Sequence, residues 1–134
     1  MASLITIEGV GEAYAAKLRE AGIGSTEVLL EKGATPKGRQ EIAEKTGISG
    51  KLILEWVNHV DLFRIKGVGE EYADLLEEVG VDTVPELAQR KADNLYQKLM
   101  SINADRNLVR RLPTQGQVAS WVEQAKQLPR VIAY

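Results

Sequence analysis

The feature that most constrains this chain is a 17-residue segment that occurs twice. The sequence IEGVGEAYAAKLREAGI runs from Ile7 to Ile23, and IKGVGEEYADLLEEVGV runs from Ile65 to Val81. Internal repeats indicate an architecture built from one supersecondary unit used more than once. The copies divide the chain into sub-repeats 1–62 and 63–134. Because 134 residues are ordinary for one domain, we expect a single domain, 1–134, whose two halves share one core.

Apolar residues recur at helical spacing along nearly the whole chain, as in Tyr72, Leu75, Leu76 and Val79, and no segment alternates as a strand would. The sequence therefore predicts an all-α fold of about eight to ten short helices. Gly22 and Gly80 stand where a helix would end in the left-handed conformation. Side chains that can begin helices are Thr35 before Pro36, Ser49, Thr83 with Glu86, Asp93, and Thr114 with Gln117.

Two tryptophans occupy matching positions in the halves. The segment LILEWVNHV, residues 52–60, resembles VASWVEQAK, residues 118–126, so Trp56 corresponds to Trp121. We expect both indoles in the core, because seven aromatic residues that are not interleaved with basic ones do not make a stacking platform for single strands. The offset has grown from 58 to 65 residues, which places an insertion of seven near INADRNLVRRLP.

The last five residues, RVIAY, follow Pro129 and read as an extended apolar segment. We expect this segment to pack against the body of the protein.

Each copy of the repeat opens with a Gly-Val-Gly turn, formed by Gly9, Val10 and Gly11 in the first and by Gly67, Val68 and Gly69 in the second. Two glycines permit a tight turn while the valine between them enters the core. The helix that follows presents unpaired N–H groups and the positive end of its dipole. Such a helix start can bind a phosphate.

This pattern resembles the helix-hairpin-helix motif over Ile7–Leu18 and Ile65–Leu76, with Ala15 and Ala73 at its small-residue position. The resemblance implies a SAM-like, helix-hairpin-helix architecture in two pseudo-repeated halves. It also implies binding to the DNA backbone through hairpin amides, often with a monovalent cation. The whole-chain pattern, including QLPRVIAY, resembles a small bacterial family of unknown function built on these repeats.

The chain departs from the DNA-binding version of the motif beside the second glycine of each turn. Glu12, Glu70 and Glu71 stand where a lysine or arginine usually reaches the phosphate, and Lys66 is the only basic residue within either turn. Carboxylates in a first helical turn suit the dipole but repel a nucleic-acid backbone. The turn is thus either a structural corner or a weakened nucleic-acid contact, and we favour the corner.

The charge distribution adds a second candidate for phosphate binding. Residues 1–105 contain 12 Lys/Arg against 18 Asp/Glu, whereas residues 106–134 contain five against one. Arg106, Arg110 and Arg111 fall on neighbouring helical positions, i and i+4/i+5, and three guanidinium groups can hold a phosphate. Alternatively, these arginines pair with acidic helices of the body.

The opposite charge is concentrated in the helix after the second turn. The acidic residues of this helix lack the Glu-x-x-His element by which helical di-metal proteins bind their metals. We therefore interpret them as a solvated acidic face, or as a docking surface for a basic protein partner, and expect no metal or cofactor. The set comprises Glu70, Glu71, Asp74, Glu77 and Glu78.

Catalysis has little support in the sequence. There is no cysteine, and the single histidine, His59, has no carboxylate at a helical spacing that would orient it, so we expect a surface or partly buried histidine. No signal segment or membrane span is evident, which makes a cytoplasmic protein the default expectation. The sequence thus predicts a non-catalytic scaffold that binds another protein or itself. The alternative is sequence-independent binding of DNA or RNA through the turns and Arg106–Arg111.

Overall fold

The computed structural model describes residues 3–134, and over that range it contains helices and no strand. A short 3-10 helix, Leu4–Thr6, comes first. The α-helices are α1 (Glu12–Glu20), α2 (Thr26–Lys32), α3 (Pro36–Thr46), α4 (Gly50–Leu62), α5 (Glu70–Glu78), α6 (Val84–Gln89), α7 (Ala92–Arg106) and α8 (Gln115–Gln127). The predictions of an all-α fold and of the number of helices are confirmed for the described residues.

The helices form two compact units. The first contains the residues up to Asp61 together with Arg130–Tyr134, and the second contains Leu62–Pro129. This division falls one residue from the boundary of the predicted sub-repeats, except that the last five residues belong with the first unit. A single domain with a shared core stays a prediction.

In the first unit, α3 packs against both α1 and α2. Leu18, Leu29 and Ile53 are fully buried at 0% exposure, and they come from α1, α2 and α4. The RVIAY segment lies against this unit, where Ile132 is 3% exposed. The expectation that the segment packs onto the body is therefore confirmed.

The second unit has a hydrophobic core of its own residues, with α8 packed against α6 and α7 and α5 packed against α7. The core cluster includes Leu75 and Leu76 from α5, Leu99 from α7 and Trp121 from α8, all with at most 1% exposure. Leu62, the last residue of α4, also belongs to it.

The helix ends follow the predicted capping residues at most positions. The Thr35 hydroxyl accepts from the Gly38 N–H (3.0 Å), and Ser49 Oγ accepts from the Leu52 N–H (3.3 Å). Thr114 forms the full capping box with Gln117. These side chains satisfy N–H groups that have no partner inside the helix.

Two capping predictions need correction. Asp93 does not cap α7, because the helix already begins at Ala92. The Asp93 carboxylate instead accepts a hydrogen bond from Gln115 Nε2 at 2.6 Å. Thr83 caps α6 by accepting from the Glu86 N–H at 3.1 Å, but the Glu86 carboxylate lies 3.4 Å from the Thr83 hydroxyl instead of completing the box at the backbone. An acidic side chain near a helix start has several donors within reach, and spacing alone does not choose among them.

Both predicted left-handed glycines are confirmed, with φ of 86° at Gly22 and 87° at Gly80. Each ends its helix in a Schellman motif, in which the N–H of the following residue reaches back to a carbonyl five positions earlier. The bonds run from Ile23 to Leu18 and from Val81 to Leu76, each 2.9 Å long.

Candidate functional site

The two Gly-Val-Gly turns have matching backbone geometry. Gly9 has φ of 88° and Gly67 has φ of 97°, in the region that only glycine occupies without strain. The N–H of the following valine donates to the carbonyl of the isoleucine three residues earlier, at 3.1 Å in the first turn and 3.0 Å in the second. Val10 and Val68 are each 4% exposed, as expected for side chains that enter the core.

The tryptophans lie directly against these turns. A Cβ atom at Gly9 would lie 3.6 Å from Nε1 of Trp56, and one at Gly67 would lie 3.1 Å from Nε1 of Trp121. Each indole also packs on a tyrosine ring from the helix after the turn, with centroid distances of 5.1 Å and 5.2 Å. Trp56 is 3% exposed and Trp121 is 1% exposed, which confirms their placement in the core. The first glycine of each turn is therefore required by its φ angle, and at Gly67 also by the close approach of the Trp121 indole.

The second glycine of each turn is the N-cap of the next helix. Gly11 precedes α1 and Gly69 precedes α5, and neither can supply a side-chain acceptor to the first-turn N–H groups. A Cβ atom at either position would meet no neighbouring atom within 4 Å. The helix starts at the turns are thus open to solvent, but their first residues are Glu12 in α1 and Glu70 and Glu71 in α5.

The backbone at Lys66 is held by a side chain of α8. Gln124 Oε1 accepts from the Lys66 N–H at 2.8 Å, and Gln124 Nε2 donates to the Lys66 carbonyl at 3.1 Å. A ligand approaching the second turn therefore finds the Lys66 N–H already bonded. Sequence reasoning missed this contact, because the repeat only aligns Gln124 with His59 and says nothing of where either side chain points.

The arginine segment does not form the predicted helix. Helix α7 ends at Arg106, because Asn107 adopts the left-handed conformation with φ of 51°. The buried Asn103 side chain then accepts from the Val109 N–H at 2.9 Å and fixes the chain beyond the helix. Arg110 consequently lies in a non-helical loop, as does Arg111. The expectation that the three arginines share a helical face is wrong, since Asn tolerates the left-handed region and stops the helix there.

Two of these arginines pair with acidic residues of α5. The Arg106 guanidinium binds the Glu78 carboxylate, and Arg110 Nε lies 3.6 Å from Glu71 Oε1. Arg111 contributes its backbone carbonyl, which accepts from the Tyr72 hydroxyl at 2.8 Å. The contacts of Arg106 and Arg110 are those of the alternative interpretation, in which the arginines pair with acidic helices.

The five acidic residues of α5 do not form one uniform face. Glu70, Glu71 and Glu78 are exposed, whereas the other two, Asp74 and Glu77, are half-buried. Because Glu71 and Glu78 have arginine partners, Glu70 at the helix start is the exposed member best placed to meet a ligand.

The remaining candidate, His59, is buried in α4 at 1% exposure. The expectation of a surface or partly buried histidine is therefore wrong. Its place three residues after Trp56 on an amphipathic helix was the signal in the sequence, since that spacing puts both side chains on the same face.

A family sequence profile matches residues 8–128, and its description is "Domain of unknown function (DUF4332)". The chain belongs to this family. The predicted resemblance to a family of unknown function is confirmed, and the helix-hairpin-helix nature of its repeats stays a prediction. No curated protein and no solved structure matched the chain.

The DUF4332 match includes both Gly-Val-Gly turns, the acidic helix α5 and the arginine segment. No helix within residues 3–134 is long and apolar enough to cross a membrane. The family description names no activity, so the function is inferred from the geometry of the site.

Proposed function

We propose that this chain is a non-catalytic protein-interaction module. The observation that carries the proposal is the pairing of Arg106 and Arg110 with carboxylates of α5. These arginines were the strongest candidates for a phosphate clamp. A nucleic acid would have to compete with carboxylates already beside them, and would bring its own charge towards Glu71 and Glu78.

The glycine turns support the same proposal. The first glycine of each turn lies against a buried tryptophan, so the turn has a structural use that needs no ligand. The first helical residues after the turns are glutamates, which stabilise the positive end of a helix and leave a negative surface around Glu70. Such a surface suits a protein partner that presents lysine or arginine.

A non-catalytic role is also supported by the side chains that could do chemistry. The single histidine is buried, and the chain contains no cysteine. A general base must come within hydrogen-bond reach of its substrate, and a side chain with 1% exposure is poorly placed to do so.

The second candidate is sequence-independent nucleic-acid binding, and one observation favours it. Helices α1 and α5 begin at glycines without a side-chain cap, whereas Ser25, Thr35, Thr83 and Thr114 cap other helices with their hydroxyls. Their first-turn N–H groups are therefore available to an anion, as the resemblance to the helix-hairpin-helix motif implies.

Fluorescence anisotropy of labelled duplex and single-stranded DNA, titrated with protein over a series of potassium chloride concentrations, separates the candidates. The informative variant is Gly69→Ser, because a serine N-cap would occupy the first-turn N–H groups of α5 without a steric clash. Gly24→Ser is the matched control, since it adds the same side chain at an exposed glycine with equally open surroundings outside the turns.

The proposal predicts no saturable DNA binding at physiological salt for the wild type. Saturable binding that Gly69→Ser weakens and Gly24→Ser preserves would overturn it in favour of the nucleic-acid candidate. In that case, replacing Arg110 and Arg111 with alanine should also lower the salt slope by about two, roughly one for each phosphate that an arginine no longer neutralises.

A further inference from the structure

The first unit already binds one extended segment of peptide chain. This segment, here called the tail, is residues 130–134, and it has no helical or strand structure of its own. The Ala133 N–H donates to the carbonyl of Ala34 at 2.7 Å, and the Ala133 carbonyl accepts from Arg39 Nη2 at 2.8 Å. Both backbone groups of one tail residue are thus bonded to the loop before α3 and to α3 itself.

Arg39 is positioned for this contact by the first unit. Its side chain is 7% exposed although it is charged, and its Nη1 donates to the Gly33 carbonyl at 2.8 Å. The second guanidinium nitrogen then points to the tail. A buried guanidinium group destabilises the folded state unless its N–H donors are hydrogen-bonded. The first unit is therefore more stable when a carbonyl occupies the position of the Ala133 carbonyl.

Side chains on either side of Ala133 complete the contact. Ile132 is buried at 3% exposure, whereas Val131 is 39% exposed. The Tyr134 hydroxyl hydrogen-bonds Asn58 Oδ1 of α4 at 2.9 Å, and the Arg130 guanidinium lies 5.5 Å from the Tyr134 ring centroid. Proteins that recognise extended peptides combine main-chain hydrogen bonds with contacts to alternate side chains, which here are Ile132 and Tyr134.

We propose that this surface of the first unit is a binding site for an extended Ile-Ala-Tyr peptide, which the chain's own tail occupies and which the tail of a second copy can occupy in its place. The inference rests on the proposed function, to which it adds the site and the partner. A second copy is the occupant that the structure supports, because every copy carries both the site and a segment that fits it.

The covalent attachment of the tail determines whether a site binds the tail of its own chain or the tail of a second copy. The tail follows Pro129 without a linker, so its local concentration at its own site is of millimolar order or higher. Intermolecular exchange is therefore expected only when protein concentration is high during folding.

The direct test uses the full chain with Ile132→Asp, which places a charge where the tail needs an apolar side chain. A fluorescent peptide with the sequence of residues 128–134 is titrated with this variant and with the wild type, and anisotropy is recorded. We expect saturable binding to Ile132→Asp and at least about tenfold weaker apparent binding to the wild type, whose own tail competes. Adding Asn58→Ala, which removes one hydrogen bond from a half-buried position, should weaken the peptide about two- to tenfold.

A peptide carrying the same Ile→Asp change is the matched control and should not bind. Circular dichroism checks that the variant keeps its helices; if it does not, Ala133→Pro replaces it, because proline removes the Ala133 N–H donor and leaves Ile132 in place. The inference would be overturned if a folded variant did not bind the peptide, or if the wild type bound it as tightly as the variant does.

The role of the second copy has its own readout. Wild-type protein refolded at high concentration should contain a dimer by analytical ultracentrifugation, and Ile132→Asp treated in the same way should remain monomeric. Monomers in both samples would overturn exchange between copies. Neither result depends on the DNA titration, so failure of the peptide site and failure of the proposed function are distinguishable.

Discussion

The contact between Trp121 and Gly67 makes a sharp prediction about the second turn. Gly67→Ala places a residue with a side chain at φ of 97°, which costs about 1–2 kcal/mol. The new Cβ would also lie 3.1 Å from Trp121 Nε1, so the buried indole must shift, which adds up to about 1 kcal/mol. The lower entropy of the unfolded chain returns about 0.4–1 kcal/mol. We expect a net loss of about 1–2 kcal/mol.

Two matched variants separate the contributions. Gly9→Ala has nearly the same φ angle but an ordinary contact distance of 3.6 Å to Trp56, so it should lose only the conformational part. Gly69→Ala lies two residues from Gly67 with φ of −101° and open surroundings, and it should change stability by less than about 0.5 kcal/mol.

The assay is thermal unfolding followed by circular dichroism, with tryptophan fluorescence as a second probe. For a chain of this size about 1 kcal/mol corresponds to roughly 3–5 °C in Tm, so Gly67→Ala should melt about 3–10 °C below the wild type. We expect Gly69→Ala to have the highest Tm of the three variants, Gly9→Ala an intermediate Tm and Gly67→Ala the lowest. Equal Tm values for Gly67→Ala and Gly69→Ala would refute the strain assigned to the first glycine, and equal Tm values for Gly67→Ala and Gly9→Ala would refute the contribution of packing.

Three further substitutions test helix ends and the core, each by urea unfolding. Thr114→Ala removes the hydroxyl that accepts from the Gln117 N–H and keeps the backbone N–H that donates to the Gln117 side chain, so it should lose about 1 kcal/mol, and recovery by serine at the same position is the control. Asn103→Ala leaves the buried Val109 N–H without its acceptor and should lose about 1–3 kcal/mol; an unchanged midpoint would show that another group takes over that bond. Leu99→Ala empties a site with 0% exposure and should lose about 2–5 kcal/mol, whereas the neighbouring exposed Lys98→Ala should stay within about 0.5 kcal/mol, and similar losses for the two would contradict the assigned core.

Much of the fold could be predicted because its determinants are local. Helical periodicity predicted the all-α architecture, and Gly22 and Gly80 predicted two helix ends, since a left-handed residue is chosen by its own backbone. The tryptophans were predicted to be buried because large apolar side chains at matching repeat positions seldom have another role.

The errors have a different physical origin. The spacing of the arginines predicted a helix up to Arg111. In the structure the Val109 N–H instead donates a hydrogen bond to the Asn103 side chain, which stabilises the non-helical segment after α7. The burial of Arg39 was not predicted, because it depends on hydrogen bonds from its guanidinium group to the carbonyls of Gly33 and Ala133. Contacts between residues six or 94 positions apart have no periodic signature.

The geometry gives a reason for one chain to carry the same turn twice without a phosphate at either copy. In each unit a tryptophan from a long helix packs against the first glycine, and a tyrosine from the helix after the turn packs against the same indole. Any side chain at the first glycine would strain the backbone and approach the indole, whereas the second glycine has open space around it. The φ angle thus accounts for Gly9, and the φ angle together with packing accounts for Gly67, but neither accounts for Gly11 or Gly69. If the turn retains any capacity to bind an anion, that capacity belongs to the second glycine, and Gly69→Ser is the substitution that tests it while leaving the packing intact.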